Sequence, residues 1–582
     1  MSYTAADLIV DTIAAAGVKR IWGIPGDSLN GFTDALRTRP ELAWMHVRHE
    51  EGGAFAASAE AAMTGELAAV AGSCGPGNLH FINGLYDAHR SRVPVLAIAS
   101  QIPGEQIGTN YFQETHPENL YRECSSYCEV ARTPEQLARI LNIAIRTAVE
   151  DRGVSVLVIP GELFVAKVDE PQRVPRIRAA SPVVRPSDEE VHLAAAMLND
   201  SQKVTILAGA GCAGAHDDVV ALAQKLKAPV VHAYRGKEHI EYNNPCDVGM
   251  TGLVGFASGY HAMESCDTLL MLGTDFPYNQ FLPAHARVIQ LDIRGSQIGR
   301  RTAVDLPLVG SVADTVPALT ELIDDGRDPE HLDTAREDYA RTRTLLDEWA
   351  VQNDDIPIRP EYLTRLLDQL ADDDAVFVPD VGSPIIWAAR YLTMNGRRRL
   401  LGSFSHGSMA NALTMSTGIA AATPGRQVVS LSGDGGLAML MGELLTLVQN
   451  KLPVKIVVYN NSSLNFVELE MKADGFVNFG TDLENPDFAA VAEAVGIAGW
   501  KVTDSSQLRQ AVTEFLAHDG PALLDVTVAR QELTIPPAIT AAQVKGFTLW
   551  GLRTVLSGRG DELLDLAEVN LLSRLRRPKR RD

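Results

Sequence analysis

Gln427-Val428-Val429-Ser430-Leu431-Ser432-Gly433-Asp434-Gly435-Gly436, followed by Val454-Lys455-Ile456-Val457-Val458-Tyr459-Asn460-Asn461, is the stretch whose reading decides the fold. Each half starts as an apolar run of strand type. Between them, Leu437 to Asn450 has the composition of a helix. The pattern predicts a strand-helix-strand unit, with Asp434 and Asn461 at neighbouring strand ends. Their separation of 27 residues suits one parallel crossover. Glycines let a phosphate approach the backbone, and a helix N-terminus favours its charge. A carboxylate and an amide oxygen suit Mg²⁺, which often takes phosphate oxygens as further ligands. The competing reading is a structural turn, which the same Gly-Asp-Gly residues also make.

Outward from this unit the chain alternates helical and strand patterns. In the first segment, Ala5 to Ala16 is helical in period. Arg20 to Ile24, Trp44 to Val47, Leu67 to Ser73, Val93 to Ser100 and Val154 to Ile159 read as strands. A Pro-rich passage, Pro171 to Pro186, reads as a linker. A second run includes strands at Val204 to Leu207, Pro229 to Val231, Thr268 to Leu272 and Val288 to Leu291. A charged helical connector, Pro329 to Val351, leads to a third run that closes at Ala522 to Val528. The expected fold class is α/β, with three doubly wound parallel-sheet domains. Expected boundaries are 1–175, 185–335 and 355–535, with a tail over 536–582.

The 582 residues suit three to four domains. A net charge of −21 argues against general nucleic-acid binding. Met1 to Val10 contains Asp7 and no basic region, so no signal peptide is expected, and no run is long and apolar enough for a membrane span. Six scattered cysteines fit buried thiols in a reducing cytoplasm; Cys124 and Cys128 are expected to share a helical face without completing a zinc site.

Arg48-His49-Glu50-Glu51-Gly52-Gly53-Ala54 offers a carboxylate ahead of small residues. Burial would raise its pKa toward neutrality. The plainer reading is acidic residues opening a helix.

With these stretches together, the chain resembles the thiamine diphosphate (ThDP) enzymes. Within them it is most similar to the FAD-containing, quinone-reducing pyruvate oxidases of bacteria. The resemblance is carried by Gly23 to Gly31, Gly72 to Asn78, Phe112-Gln113-Glu114-Thr115-His116-Pro117, Arg235-Gly236-Lys237-Glu238-His239, Gly249 to Leu253, His406 to Ala412 and Lys545-Gly546-Phe547. It implies that Glu50 meets N1′ of the aminopyrimidine and that Met409, beside Gly407 and Ser408, wedges under the cofactor. It also implies that Asp434, Gly435, Gly436, Asn461, Ser462, Ser463, Leu464, Asn465 and Phe466 hold the diphosphate. Mg²⁺ would be bound by Asp434, Asn461 and a backbone carbonyl near Ser463. Asp27, Phe112, Gln113, Phe466 and Glu470 would line the substrate pocket. FAD would lie against Thr251, Gly252, Leu253, Val254, Thr274, Asp275, Phe276, Pro277, Tyr278 and Asp292. Gly209-Ala210-Gly211 is a further phosphate-loop candidate.

The implied reaction is oxidative decarboxylation of pyruvate to acetate and CO₂, with electrons passed through FAD to a membrane quinone. Alternatives are an acetolactate synthase-type carboligase with structural FAD, a phosphate-using oxidase and a non-catalytic scaffold. The resemblance also implies a homotetramer built from dimers. Leu563 to Leu572 patterns as an amphipathic helix, and Arg574 to Arg581 is basic. Such a tail would seek anionic lipid at about 1 kcal/mol per cation. The expected location is cytoplasmic, peripheral on the inner face of the cell membrane.

Overall fold

A computed structural model of the chain describes residues 3–352 and 357–530, apart from Gln172, Arg173 and Pro175. The tail from 536 onward and Lys545-Gly546-Phe547 lie outside the described residues.

The described residues form three six-stranded sheets, and every paired strand among them is parallel. The first holds β1 (Arg20–Gly23), β2 (Ala43–His46), β3 (Ala68–Gly72), β4 (Val95–Gln101), β5 (Tyr127–Val130) and β6 (Val154–Pro160), in the order β2-β1-β3-β4-β6-β5. The central sheet holds β7 (Val204–Ala208), β8 (Val230–His232), β9 (Asp247–Met250), β10 (Thr268–Leu272), β11 (Arg287–Asp292) and β12 (Leu306–Val309), in the order β12-β11-β10-β7-β8-β9. The third holds β13 (Val376–Pro379), β14 (Arg399–Leu400), β15 (Val428–Gly433), β16 (Lys455–Asn460), β17 (Ala498–Val502) and β18 (Ala522–Thr527), in the order β14-β13-β15-β16-β18-β17.

Helices cover both faces, so the inner strands are buried along most of their length and read as predominantly apolar runs. The central order is that of doubly wound dinucleotide-binding sheets, which reverse direction between β7 and β10. The outer two sheets share one order, strand for strand.

The first and third domains are joined through helices Glu50–Thr64 and Asn411–Ala422, both rich in Ala and buried over most of their length. A side chain at Gly418 would collide with the backbone carbonyl of Ala56, so the two helices meet backbone to backbone. One core cluster runs through both domains, from Trp22 and Phe55 to Ile419 and Leu447.

Two expectations change. The stretch Leu437 to Asn450 is not one helix: Asp434–Met439 and Leu444–Asn450 flank a 3₁₀ turn, Met441–Glu443. The break turns Glu443 inward, where Oε1 accepts the backbone N–H groups of His49 (2.7 Å) and Arg48 (3.1 Å). Cys124 and Cys128 do not share a helical face, because Cys124 ends a 3₁₀ turn and Cys128 lies on β5. All six cysteines are free thiols.

Candidate active site

Ligands of open α/β sheets bind beyond the carboxyl ends of strands where the strand order reverses. In the third sheet that point lies between β13 and β15. Asp380 follows β13, and Gly433-Asp434-Gly435-Gly436 ends β15 and starts the next helix. A Cβ at Gly436 would overlap the Asp380 carboxylate, so glycine is required there. Asp380 is buried, and its carboxylate is pushed up to about 7 by that burial, against hydrogen bonds from backbone N–H groups of Ala412, Asn411, Val381 and Ala410.

Asp434 is buried and organises the loop after β16. Its Oδ2 accepts from the N–H of Ser462 (2.7 Å), the N–H of Asn461 (3.1 Å) and Nδ2 of Asn485 (2.8 Å). Its Oδ1 accepts from Gly435 N–H at 2.8 Å. Asn461 Oδ1 accepts from Ser463 N–H at 3.0 Å. Asp434 and Asn461 are thus brought together, as their spacing predicts, and Ser463, which only the resemblance implied, lies with them. A carboxylate, an amide oxygen and a backbone carbonyl form a hard-oxygen donor set that fits Mg²⁺.

Asn465 is buried and donates to Ser383 Oγ, while Leu464 and Phe466 are half-buried. Met409 sits with its methyl near Gly435, bordering the same loop rather than filling a core. Beside it, Ser408 Oγ accepts from Asn83 Nδ2 at 2.9 Å, and Gly407 turns with φ of 84°. Glu470 begins the last turn of helix Asn465–Ala473 with part of its surface in solvent, and its carboxyl is raised by the partial desolvation that remains and by Asp474.

In the first sheet the reversal lies between β1 and β3. The loops after these strands touch: Ser28 Oγ is 3.0 Å from Ser73 Oγ and accepts the N–H of Cys74 at 3.0 Å. Glu50, at the start of its helix, is only 6% exposed, and Oε2 lies 2.8 Å from His80 Nδ1. Its Oε1 faces Gly77, where a Cβ would stand 3.1 Å away. His49 stacks on His80 with centroids 4.2 Å apart. Burial, then the neighbouring His80, holds His49 below the ordinary imidazole value. Its neutral ring caps the helix by accepting Glu51 N–H. Gln113 lies against Gly75, with Oε1 3.4 Å from Cys74 Sγ. Phe112 is 77% exposed, and Asp27 is also exposed. Glu50's described hydrogen bond is to His80, not to the Asp434 cluster.

Gln113, Ala410 and Ser462 adopt φ of 64°, 64° and 55°. Such left-handed backbone costs a non-glycine residue about 1–2 kcal/mol, and it concentrates at functional sites.

In the central sheet, Gly209-Ala210-Gly211 follows β7 and Gly273-Thr274 follows β10, at the reversal itself. The two glycines in the first loop have a packing duty, since a Cβ on either would run into Gly273. Gly252 faces Phe276 and Tyr278, and Thr251 Oγ1 is buried with no hydrogen-bond partner among the described residues. Thr274 Oγ1 accepts Phe276 N–H. Asp292 ends β11 with Oδ1 accepting Arg294 N–H, and burial raises its carboxyl. Arg92, from the first domain, pairs with Asp275 at 2.7 Å. Leu253 and Pro277 are exposed, and the Val254 carbonyl accepts from Arg390. An orphaned hydroxyl, a strand-end carboxylate and aromatic walls beside a dinucleotide-type reversal fit an extended FAD.

Sequence reasoning missed His80, Asn83, Asp380, Glu443 and Asn485. Of these, only His80 carried a signal, through its place just after the glycine-rich loop. The others act through contacts between segments far apart in the chain.

Family models described as the thiamine pyrophosphate enzyme N-terminal TPP binding domain, central domain and C-terminal TPP binding domain match residues 3–120, 191–319 and 380–526. The chain is 35% identical over 569 residues to the putative thiamine pyrophosphate-containing protein YdaP of Bacillus subtilis, covering 97% of this chain and 98% of that one. It is 30% identical over 567 residues to the acetolactate synthase of Arthrospira platensis, covering 92% and 95%. Against the pyruvate oxidase of Lactiplantibacillus plantarum it is 27% identical over 533 residues, covering 90% and 88%. With three parallel α/β domains matched in order, the chain belongs to the thiamine pyrophosphate enzyme family.

Proposed function

We propose that the protein is a ThDP- and FAD-dependent pyruvate oxidase that passes electrons to a quinone. The overall conversion is pyruvate, water and quinone to acetate, CO₂ and quinol. The observation that carries this reading is the approach of the third domain to the central one. Arg390 of the third domain donates to the Val254 carbonyl through Nε at 3.4 Å and to the Gly255 carbonyl through Nη2 at 3.1 Å. Helix Ser383–Tyr391, which follows β13 and Asp380, therefore ends against the proposed flavin cradle.

When bound, ThDP supplies a carbon nucleophile that holds the electron pair left by decarboxylation, and FAD supplies a two-electron acceptor. Asp434, Asn461 and the Ser463 carbonyl would hold Mg²⁺, with the backbone of Gly435 and Gly436 near the diphosphate. Met409 would support the cofactor from the side of Gly435. Glu50 would exchange a proton through its carboxylate, oriented by His80. Gln113 and Phe112 would close the pocket against water.

Glu50 and Asp434 would meet across two chains, so the active unit would be at least a dimer. The exposure of Phe112 (77%) on one half-site and Phe479 (87%) near the other supports a surface covered by a second copy. The tail beyond 536 would contact anionic lipid; truncation after Gly560 with undiminished liposome binding would reject that part. Among the described residues no helix is long and apolar enough to cross a membrane.

A second reading is favoured by the 30% identity to an acetolactate synthase over nearly its full length. There, FAD would be structural. Anaerobic mixing with pyruvate separates the two. Bleaching of the flavin is expected for the oxidase; an unbleached flavin with acetolactate as product would replace it with the carboligase.

A further inference from the structure

Helix Asn465–Ala473 carries two ionic side chains inside the protein. Glu468 is 0% exposed and Lys472 is 1% exposed. Lys472 Nζ donates to Glu468 Oε1 at 2.6 Å. Ser463 Oγ donates to Oε2 at 2.6 Å, and Arg530 reaches the same oxygen through Nε and Nη2, each at 3.1 Å. Arg530 also bonds Asp482, whose backbone bridges Ser463. Two further backbone bonds, Leu464 N–H to Thr481 O and Leu483 N–H to Ser462 O, fasten the same segments.

Packing alone does not account for this cluster. Removing two charges from water commonly outweighs their attraction, and apolar residues of the same size would be as stable or more so. A buried ionic group that receives several hydrogen bonds instead specifies one geometry. Here that geometry includes Ser462, held at φ of 55°, a backbone state that persists only when its surroundings over-determine it. The Ser463 hydroxyl is committed to Glu468, which leaves the backbone carbonyl as the oxygen this residue would offer a metal.

We propose that Glu468 is a positioning residue for the cofactor loop, forming with Lys472 and Arg530 a buried strut that preorganises Asn461 to Ser463 for a divalent cation and a diphosphate. The inference rests on the reading of that loop as the Mg²⁺ and ThDP site. Partners that orient metal ligands typically account for 10–100-fold in metal affinity.

The test uses the full chain, stripped of cofactors and titrated with Mg²⁺ at fixed ThDP while tryptophan fluorescence is followed. Glu468→Ala is expected to raise the Mg²⁺ requirement by about 10–100-fold, with kcat recovered at saturating Mg²⁺ and ThDP. Ser463→Ala, which keeps the carbonyl, should give a smaller loss that does not add to that of Glu468→Ala. Should Glu468→Ala fail to fold, Glu468→Gln retains an acceptor for Ser463 but no anion for Lys472 and Arg530. It should give an intermediate shift. A wild-type Mg²⁺ dependence in these variants, with only a lowered unfolding temperature, would overturn the strut. If the unaltered protein takes up neither Mg²⁺ nor ThDP, the loop assignment itself fails and the strut with it.

Discussion

The first and third domains have one topology and two chemistries. Both sheets run in the same strand order, and both place their chemical groups where that order reverses. At the first reversal the loops meet through two hydroxyls, of Ser28 and Ser73, and the backbone N–H of Cys74. At the third the Asp380 carboxylate lies against Gly436, and Asp434 two residues earlier holds the loop after β16. Topology therefore fixes where a ligand sits, while the side chains decide which end of it is held. A neutral rim with Glu50 behind it suits a heterocycle and a moving proton. An oxygen-rich loop suits a metal and phosphate.

The comparison breaks most visibly at Glu50. Glu50→Gln should cut turnover of pyruvate by about 10²–10⁴-fold while ThDP affinity stays within a few-fold; full turnover would remove Glu50 from the proton path. On the other half, Asn485→Ala should act in the opposite sense. It should weaken Mg²⁺-dependent ThDP uptake by about 10–100-fold and leave kcat at saturation little changed. If both variants altered the same parameter, the division of labour between the halves would be wrong.

The seam between the halves gives a stability test. Gly418→Ala places a methyl group on the Ala56 carbonyl, so the variant should lose about 1–3 kcal/mol in denaturant unfolding. The first and third domains should unfold together, because one core runs through both.

A further effect is a pH dependence confined to the central domain. His331, 3.0 Å from Thr205 Oγ1, is pushed down to about 4 by burial, then by Lys203, with Asp267 opposing. An unfolded histidine titrates near 6.5. The native state thus binds fewer protons between these values. The stability His331 contributes is complete above about 6.5 and is lost as pH falls toward 4. Calorimetry of His331→Gln should show a flatter central-domain transition over that window, with the outer domains unaffected.

Much of this comparison is legible in the residues. The inner strands β3, β4, β6, β7, β8, β10, β11, β15, β16 and β18 announce themselves, since burial on both faces favours mostly apolar runs in which a polar residue such as Ser155, Gln290 or Asp525 is isolated. Of the edge strands only β2 does; β5, β9, β12, β14 and β17 do not, and neither does the short inner strand β13. Glu129 on β5, Asp247 on β9 and Lys501 on β17 interrupt the pattern. Asp434 and Asn461 are legible because one crossover sets their spacing. Asn485 and Glu443 are not, because each acts across a fold that no local pattern encodes. Glu443 also explains the misread helix, as a carboxylate turned toward Arg48 and His49 ends the helical run.

The contact of Gly418 with Ala56 has a mechanical meaning. Ordinary helix pairs meet through side chains that change rotamer and absorb small displacements. This pair meets through main chain, so it has almost no slack. One helix begins at Glu50 and the other begins just after Met409 and Ala410. At this crossing no side chain lies between the two helices to absorb a displacement, so neither Glu50's helix nor the one after Met409 can move toward the other without moving backbone.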